Sequence, residues 1–320
     1  MRAMTVLIQL HNKLSRFKEA SDIQLKLVEI LKAKHGLQHL ETQINLKGLA
    51  EAYENQGRLL EANSLAAGDL LQGLLGPTDY MTLQTKRALI QNFRKRELFE
   101  KAVEVSQEKV SAYKDTLGDD DPKTLSAETE LAVLINKTNK IEESIELQEK
   151  ALQSFEAVNG KVNGDVARTL VNLGGMYLRD GRTEDGVVTV KRALAIYEEL
   201  HGAESLEVGR CLQFLATAAR NAGSRQDSSV YHERALEIER KVRGSDKNFT
   251  LHLMRCQAYD YTAMEKFEKA MVLQKEVLEG YRNLYDEGNK DVLGALFDIA
   301  SLRHSLGNPQ EAAILYEQAL

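Results

Sequence analysis

Apolar residues recur along this chain at three- and four-residue spacing, and two-residue alternation is nearly absent. That period marks amphipathic helices and predicts an all-α chain. The stretch 170–202, LVNLGGMYLRDGRTEDGVVTVKRALAIYEELHG, reads as helix, turn, helix, stop. Leu170, Leu173, Gly174 and Tyr177 fall on one face of the first helix. Gly181 breaks that helix, and Gly202 is expected to end the second in a left-handed conformation. Gly174 and Gly186 leave room for close approach of the two helices. Asp121 before Pro122 predicts a capped helix start with proline in the first turn.

The pattern repeats. Small residues at Ala20, Ala62, Ala102, Ser144, Gly186, Ser228, Ala270 and Ala312 anchor eight similar segments, with spacings of 42 residues apart from one of 40. Twelve residues before each anchor stands Ile8, Ala50, Ile90, Ala132, Gly174, Ala216, Ala258 or Ala300. A glycine closes most units, among them Gly36, Gly118, Gly202, Gly244 and Gly288. One helical hairpin cannot bury both of its faces, whereas stacked hairpins share a continuous core. The expected boundaries are 1–38, 39–80, 81–122, 123–164, 165–206, 207–248, 249–290 and an incomplete 291–320, all in one solenoid.

These columns resemble the tetratricopeptide repeat (TPR). Its small residue in the first helix, an aromatic three later (Tyr53, Phe93, Tyr177, Tyr261) and its Ala twelve later are all present. Its Trp column is filled by Met4, Leu46, Leu170, Leu212, Met254 and Leu296, with Lys86 and Glu128 departing from it. The usual unit has about 34 residues. A 42-residue unit is similar to kinesin light chain repeats, as are LGDDDPKTL (117–125), TLVNLGGMYLRDGR (169–182) and RAL at 192–194 and 234–236. The resemblance implies a right-handed superhelical solenoid of about eight helix-turn-helix repeats. It also implies a non-catalytic scaffold or adaptor that binds peptide segments in a concave groove lined by first helices. Asn172 matches one Asn of the kinesin light chain pattern, while Val171 stands where its neighbouring Asn would be. The Lys and Asn carboxylate clamp of chaperone-binding repeats is missing: the position after the small column carries no Asn.

Counted from that small column, offsets −4, −1, 0 and +3 form the buried stripe of the first helix. Offsets −6, −3, +1 and +4 form a second stripe about 130° around it. Its 32 positions hold eight basic residues and two acids, Glu51 and Glu54, against about four and about five at the chain's own composition. The resulting candidate groove comprises Lys47, Arg87, Arg94, Arg168, Arg210, Arg220, Arg255 and Tyr259, with His252 and His304 as further titratable groups and Phe297 as an aromatic contact; the resemblance adds Asn172. Arginine predominates, which favours planar recognition of carboxylates or phosphates. Partners are therefore expected to be proteins or peptides with acidic segments.

Composition narrows the alternatives. With 42 Lys+Arg against 48 Asp+Glu, the 320-residue chain carries a net charge of −6, against bulk attraction to nucleic acid or anionic membrane. No stretch approaches a membrane span, and no secretory leader is visible at the N-terminus. Two cysteines, Cys211 and Cys256, suit a reducing, cytoplasmic setting and are expected to be inert packing residues without a paired His. His35 and His39 flank Gly36 at a helix exit and are not read as metal ligands; Asp119–Asp121 are read as helix-capping residues rather than a calcium loop. Asn136 and Asn248 fit a glycosylation pattern that has no meaning in such a compartment. No catalytic or cofactor-binding motif is visible. Two other readings remain: a partner-sensing arm of a larger signalling protein, and a purely architectural subunit. Only eight residues follow Ala312, so the chain is expected to be a fragment lacking a polar end cap.

Overall fold

The computed structural model describes residues 2–36, 39, 41–42, 44–45, 48–49, 72–73, 76–244 and 247–319. Among them are fourteen helices and no strand. In chain order they are α1 (Arg2–Lys13), α2 (Phe17–His35), α3 (Tyr80–Lys95), α4 (Phe99–Leu117), α5 (Pro122–Lys137), α6 (Ile141–Asn159) and α7 (Gly164–Arg179). There follow α8 (Thr183–His201), α9 (Leu206–Asn221), α10 (Arg225–Arg243), α11 (Asn248–Ala263), α12 (Phe267–Leu284), α13 (Lys290–Ser305) and α14 (Pro309–Gln318). They group into two compact units, Met1–Val158 and Asn159–Leu320.

The period has a simple structural basis. A first helix of 16 residues, such as α5, is followed by a short turn, a 19-residue second helix such as α6, and a four-residue connector at 160–163. Long second helices thus account for the extension beyond the usual 34-residue unit. Within each unit helices pack on chain neighbours, as α3 on α4 and α9 on α10, and α7 also touches α9, so these first helices stack from one hairpin to the next.

Side chains of both small columns are buried: Ala20, Ala102, Ser144, Ser228 and Ala270 at 0% exposure, and Ala132, Ala216, Ala258 and Ala300 likewise. Ala50 and Ala62 lie outside the described residues. A Cβ on Gly186 would stand 2.9 Å from the Gly174 carbonyl oxygen, so this pair sets the closeness of α7 and α8. The buried face of the first helices is wider than the expected stripe. On α7, Val166, Ala167, Thr169 and Met176 are buried too. The reason is that a stacked first helix is covered from two sides.

The ends of the helices follow the sequence closely, with one exception. Asp121 Oδ1 accepts from the Lys123 backbone N–H at 2.8 Å, with Pro122 in the first turn. Asn163, Ser205 and Asn289 cap α7, α9 and α13 in the same way. Gly36, Gly118, Gly202 and Gly244 end second helices with φ of 81–93° and ψ of 161–169°. That ψ lies well away from the left-handed helical value, in a region open essentially to glycine alone. Gly288 does not have this role: α12 ends at Leu284, and Tyr285 follows it in extended conformation. Inside the hairpins, Ser15, Glu97, Asn139, Gly181, Gly223, Glu265 and Gly307 all take φ between 55° and 84°. The tight turn imposes this conformation whether or not glycine occupies it.

Candidate functional site

The candidate groove residues are distributed over several first helices. Lys47 lies outside the described residues, as do Glu51 and Glu54. Arg87 and Arg94 are exposed on α3, in the unit Met1–Val158. In the other unit, Arg168 on α7 pairs with Asp165 one turn earlier at 2.8 Å, and Asn172 is half-buried. Arg210 is exposed near the start of α9, and Arg220 is half-buried at its end. Arg255 and Tyr259 stand one turn apart on α11.

Three of these residues meet. Arg220, Arg255 and Tyr259 line a cavity of about 870 Å³, together with His252, Cys256 and Phe297. Asp298 and Gln274 complete one wall. Arg255 Nε donates to Asp298 Oδ2 at 2.6 Å, and Gln274 Nε2 donates to the same oxygen at 3.2 Å. Burial opposes the charge on Arg255, but the Asp298 bond outweighs it and raises its pKa. A Cβ at residue 294 would come within 3.0 Å of the Arg255 guanidinium, so Gly294 provides the space in which that side chain lies. Arg255 is thus internally neutralised. Burial, then Arg255, pushes the His252 pKa below its ordinary value, so the imidazole adds little positive charge at neutral pH.

The free charge gathers at the other end. Arg220 and Arg225 stand over the Tyr259 ring, 5.9 and 5.7 Å from its centroid. Arg225 is the first residue of α10, where the helix dipole already places positive charge. Its Nη1 is buried without a hydrogen-bond partner. The first-helix stripe could not include this residue, because it belongs to a second helix. Its column did carry a signal, however: other units have Phe17, Phe99, Ile141 and Phe267 there.

The cysteines differ from each other. Cys211 is buried, and burial pushes its pKa up to about 12. Cys256 does have a paired histidine, contrary to expectation: His252 Nε2 lies 3.7 Å from its Sγ. The i,i+4 spacing on α11 brings them together. Burial raises the Cys256 pKa despite the nearby Arg220. The His35 and His39 rings stack, with centroids 4.6 Å apart.

One further polar cluster was not anticipated. Ser228 Oγ donates to Asp260 Oδ2 at 2.6 Å, and His232 Nδ1 lies 2.7 Å from the same oxygen. All three residues are at least 99% buried. Serine and histidine both address the carboxylate rather than each other, and neither can meet a substrate, so the arrangement ties α10 to α11. Asp260 replaces the Leu134, Met176, Ala218 and Leu302 of other units. Among the described residues no helix is long and apolar enough to cross a membrane.

Residues 165–241 match the tetratricopeptide repeat family model. No curated protein matches the chain in sequence. Among solved structures, BtubC (BKLC) from P. vanneervenii is 19% identical with a TM-score of 0.61, over 69% of this chain and 89% of that one. A Podosopora anserina protein assigned to the kinesin light chains, with nearly identical TPR-like repeats, is 20% identical at TM-score 0.53, over 64% and 97% of the two chains. Pseudomonas aeruginosa pilF is 17% identical at TM-score 0.52, over 73% and 89%. Residues 165–241 thus carry tetratricopeptide repeats, and these solved structures share this chain's fold of helical hairpins, which here repeat with a 42-residue period.

Proposed function

We propose that the chain is a non-catalytic adaptor that holds acidic peptide segments along the first-helix faces of its repeats. The TPR fold in general supports a protein-interaction scaffold. The observation that carries the finer reading is the Arg225 guanidinium: it is beside Arg220, at a helix N-terminus, with Nη1 lacking any partner. A peptide carboxylate beside the two arginines would offset the repulsion between them and complement the helix dipole. Tyr259 and Phe297, both more than half exposed, offer apolar surface next to it. Arg168 and Arg210 extend the same stripe, with Asn172 on the same helix as Arg168, and Arg87 and Arg94 hold offsets of that stripe in the other unit. The free thiols Cys211 and Cys256 fit a reducing, cytoplasmic setting.

The test is fluorescence-anisotropy binding of an acidic-peptide library, with the strongest binder compared against its Asn/Gln analogue. Charge-assisted contacts predict a loss of about tenfold or more for Arg220→Glu/Arg225→Glu, a smaller loss for Arg168→Glu/Arg210→Glu, and weaker binding as salt rises. Equal affinity for the neutral analogue would overturn the proposal.

A further inference from the structure

The second helices of the unit Asn159–Leu320 carry an exposed apolar column. Val188, Val230, Val272 and Ile314 stand two residues after their anchors and are 69%, 53%, 67% and 56% exposed. Single exposed apolar residues are ordinary. Four in register, one on each of α8, α10, α12 and α14, form a ladder. In the unit Met1–Val158 the same column reads Asp22, Ser64, Glu104 and Glu146. Between Val230 and Val272 lies a cavity of about 660 Å³, lined also by Leu236, Leu273 and Tyr261.

The charges beside the ladder have their own pattern. Three residues further along each helix stand Lys191, Glu233, Lys275 and Glu317, all exposed and alternating in sign. Other surface charges nearby are satisfied within the chain, Arg234 by Glu198 at 2.6 Å and Arg240 by Glu276 at 2.9 Å. Lys191, Lys275 and Glu317 make no ion pair among the described residues, and Glu233 accepts only from uncharged groups, the Tyr261 hydroxyl at 2.6 Å among them.

We propose that this face is a two-fold interface between two copies of the chain, with the ladder of one copy laid on the ladder of the other in reverse order. Equal spacing lets the reversed ladders meet column for column, Val188 with Ile314 and Val230 with Val272, and an isologous contact makes each pairing twice. The same reversal brings Lys191 to Glu317 and Glu233 to Lys275, so every member of the alternating column meets its opposite. The column three residues before the ladder adds one attraction, Asp227 with Lys269, and one repulsion, Asp185 with Glu311, which Arg182 at 2.8 Å and Arg303 at 3.2 Å already offset within the chain. Laid in the same order about the other two-fold axis, the two flanking columns would meet each other. Glu233 would then face Asp227, Lys275 would face Lys269 and Glu317 would face Glu311, leaving only Lys191 and Asp185 attractive. Charge therefore selects the reversed arrangement, which sets the cavity between α10 and α12 of one copy opposite the same cavity of the other, on the two-fold axis. Valine is a modest contributor to interfaces, so the dimer is expected to be weak, with Kd of micromolar order.

Sedimentation equilibrium of the 320-residue chain, taken to several hundred micromolar, tests this. The expected result is a monomer–dimer equilibrium that Val230→Glu/Val272→Glu weakens at least a hundredfold. Lys191→Glu/Lys275→Glu reverses two pairings, each made twice, and should weaken it about tenfold or more, and adding Glu233→Lys/Glu317→Lys should restore it. All six side chains are exposed, and circular dichroism melts confirm that each variant is folded. A monomer at every concentration overturns the proposal. A dimer that survives the valine substitutions, or one that full charge reversal fails to restore, overturns it equally.

Discussion

The two compact units fill the same buried column differently. In Asn159–Leu320 the position four residues before the small column is Leu170, Leu212, Met254 or Leu296, each 0–3% exposed. In Met1–Val158 it includes Lys86 and Glu128, at 2% and 4%. Each of these charges has a partner on α4: Lys86 Nζ is 2.9 Å from Glu108, and Glu128 is 2.6 Å from Lys114. The difference teaches that the column accepts a charge only where a second helix delivers the opposite one. Desolvation makes an unpaired buried charge costly, whereas a pair is roughly interchangeable with well-packed apolar residues.

The strongest way to break that comparison is Leu296→Lys. The positions equivalent to Glu108 and Lys114 are here Gln318 and Arg282, so no acid stands ready. The expected loss is about 3–5 kcal/mol in urea unfolding; a loss below about 1 kcal/mol would show that any unit can absorb the charge. Second comes Lys114→Ala, which strands Glu128 at 5% side-chain exposure. Because Lys114 itself is about one-third exposed and water partly replaces it, a loss of about 2 kcal/mol is expected. The Glu128 hydrogen bond raises the Lys114 pKa above its ordinary 10.5. A raised lysine pKa stabilises fully below the ordinary value and progressively less as pH climbs through the folded one. The gap between wild type and Lys114→Ala should therefore shrink above pH 10.5. A gap independent of pH would assign the loss to packing.

What the sequence revealed followed range. Local features were readable: the 3–4 spacing of Leu170, Leu173 and Tyr177, the Asp121–Pro122 cap, and Gly186 against Gly174. The His252–Cys256 pair was equally local, four residues apart on one helix, and needed only the helical wheel. Arg225 could not be found from first-helix offsets, because only stacking brings the start of α10 against Tyr259. The Asp260–His232–Ser228 cluster joins residues up to 32 apart, and its burial depends on how α10 and α11 pack. Glu97 and Glu265 hide a left-handed turn that Gly181, Gly223 and Gly307 advertise, since the turn imposes the conformation and glycine merely eases it. The neutralisation of Arg255 by Asp298 lay in the next repeat, 43 residues away, and lowers the free charge that a count of basic residues implies.

The mildest test sharpens the comparison from the other side. Lys86→Met removes a buried ammonium and leaves Glu108, which is 53% exposed and stays hydrated. Methionine fills nearly the same space without a charge, and its flexible chain adapts to the site. The desolvation cost of Lys86 disappears together with its single ion pair, so the two changes oppose each other and the net shift is expected within about 1 kcal/mol of zero, on the stabilising side. Unfolding of Lys86→Met beside Lys114→Ala isolates the principle, because each removes a paired lysine, Lys114 being paired with Glu128 and with the exposed Asp119 at 3.4 Å, but only the second leaves a charge in the core. If Lys86→Met lost as much as Lys114→Ala, the exposure of the stranded partner would not be what decides the cost, and the buried lysine would be a stabilising element of this unit rather than a tolerated one.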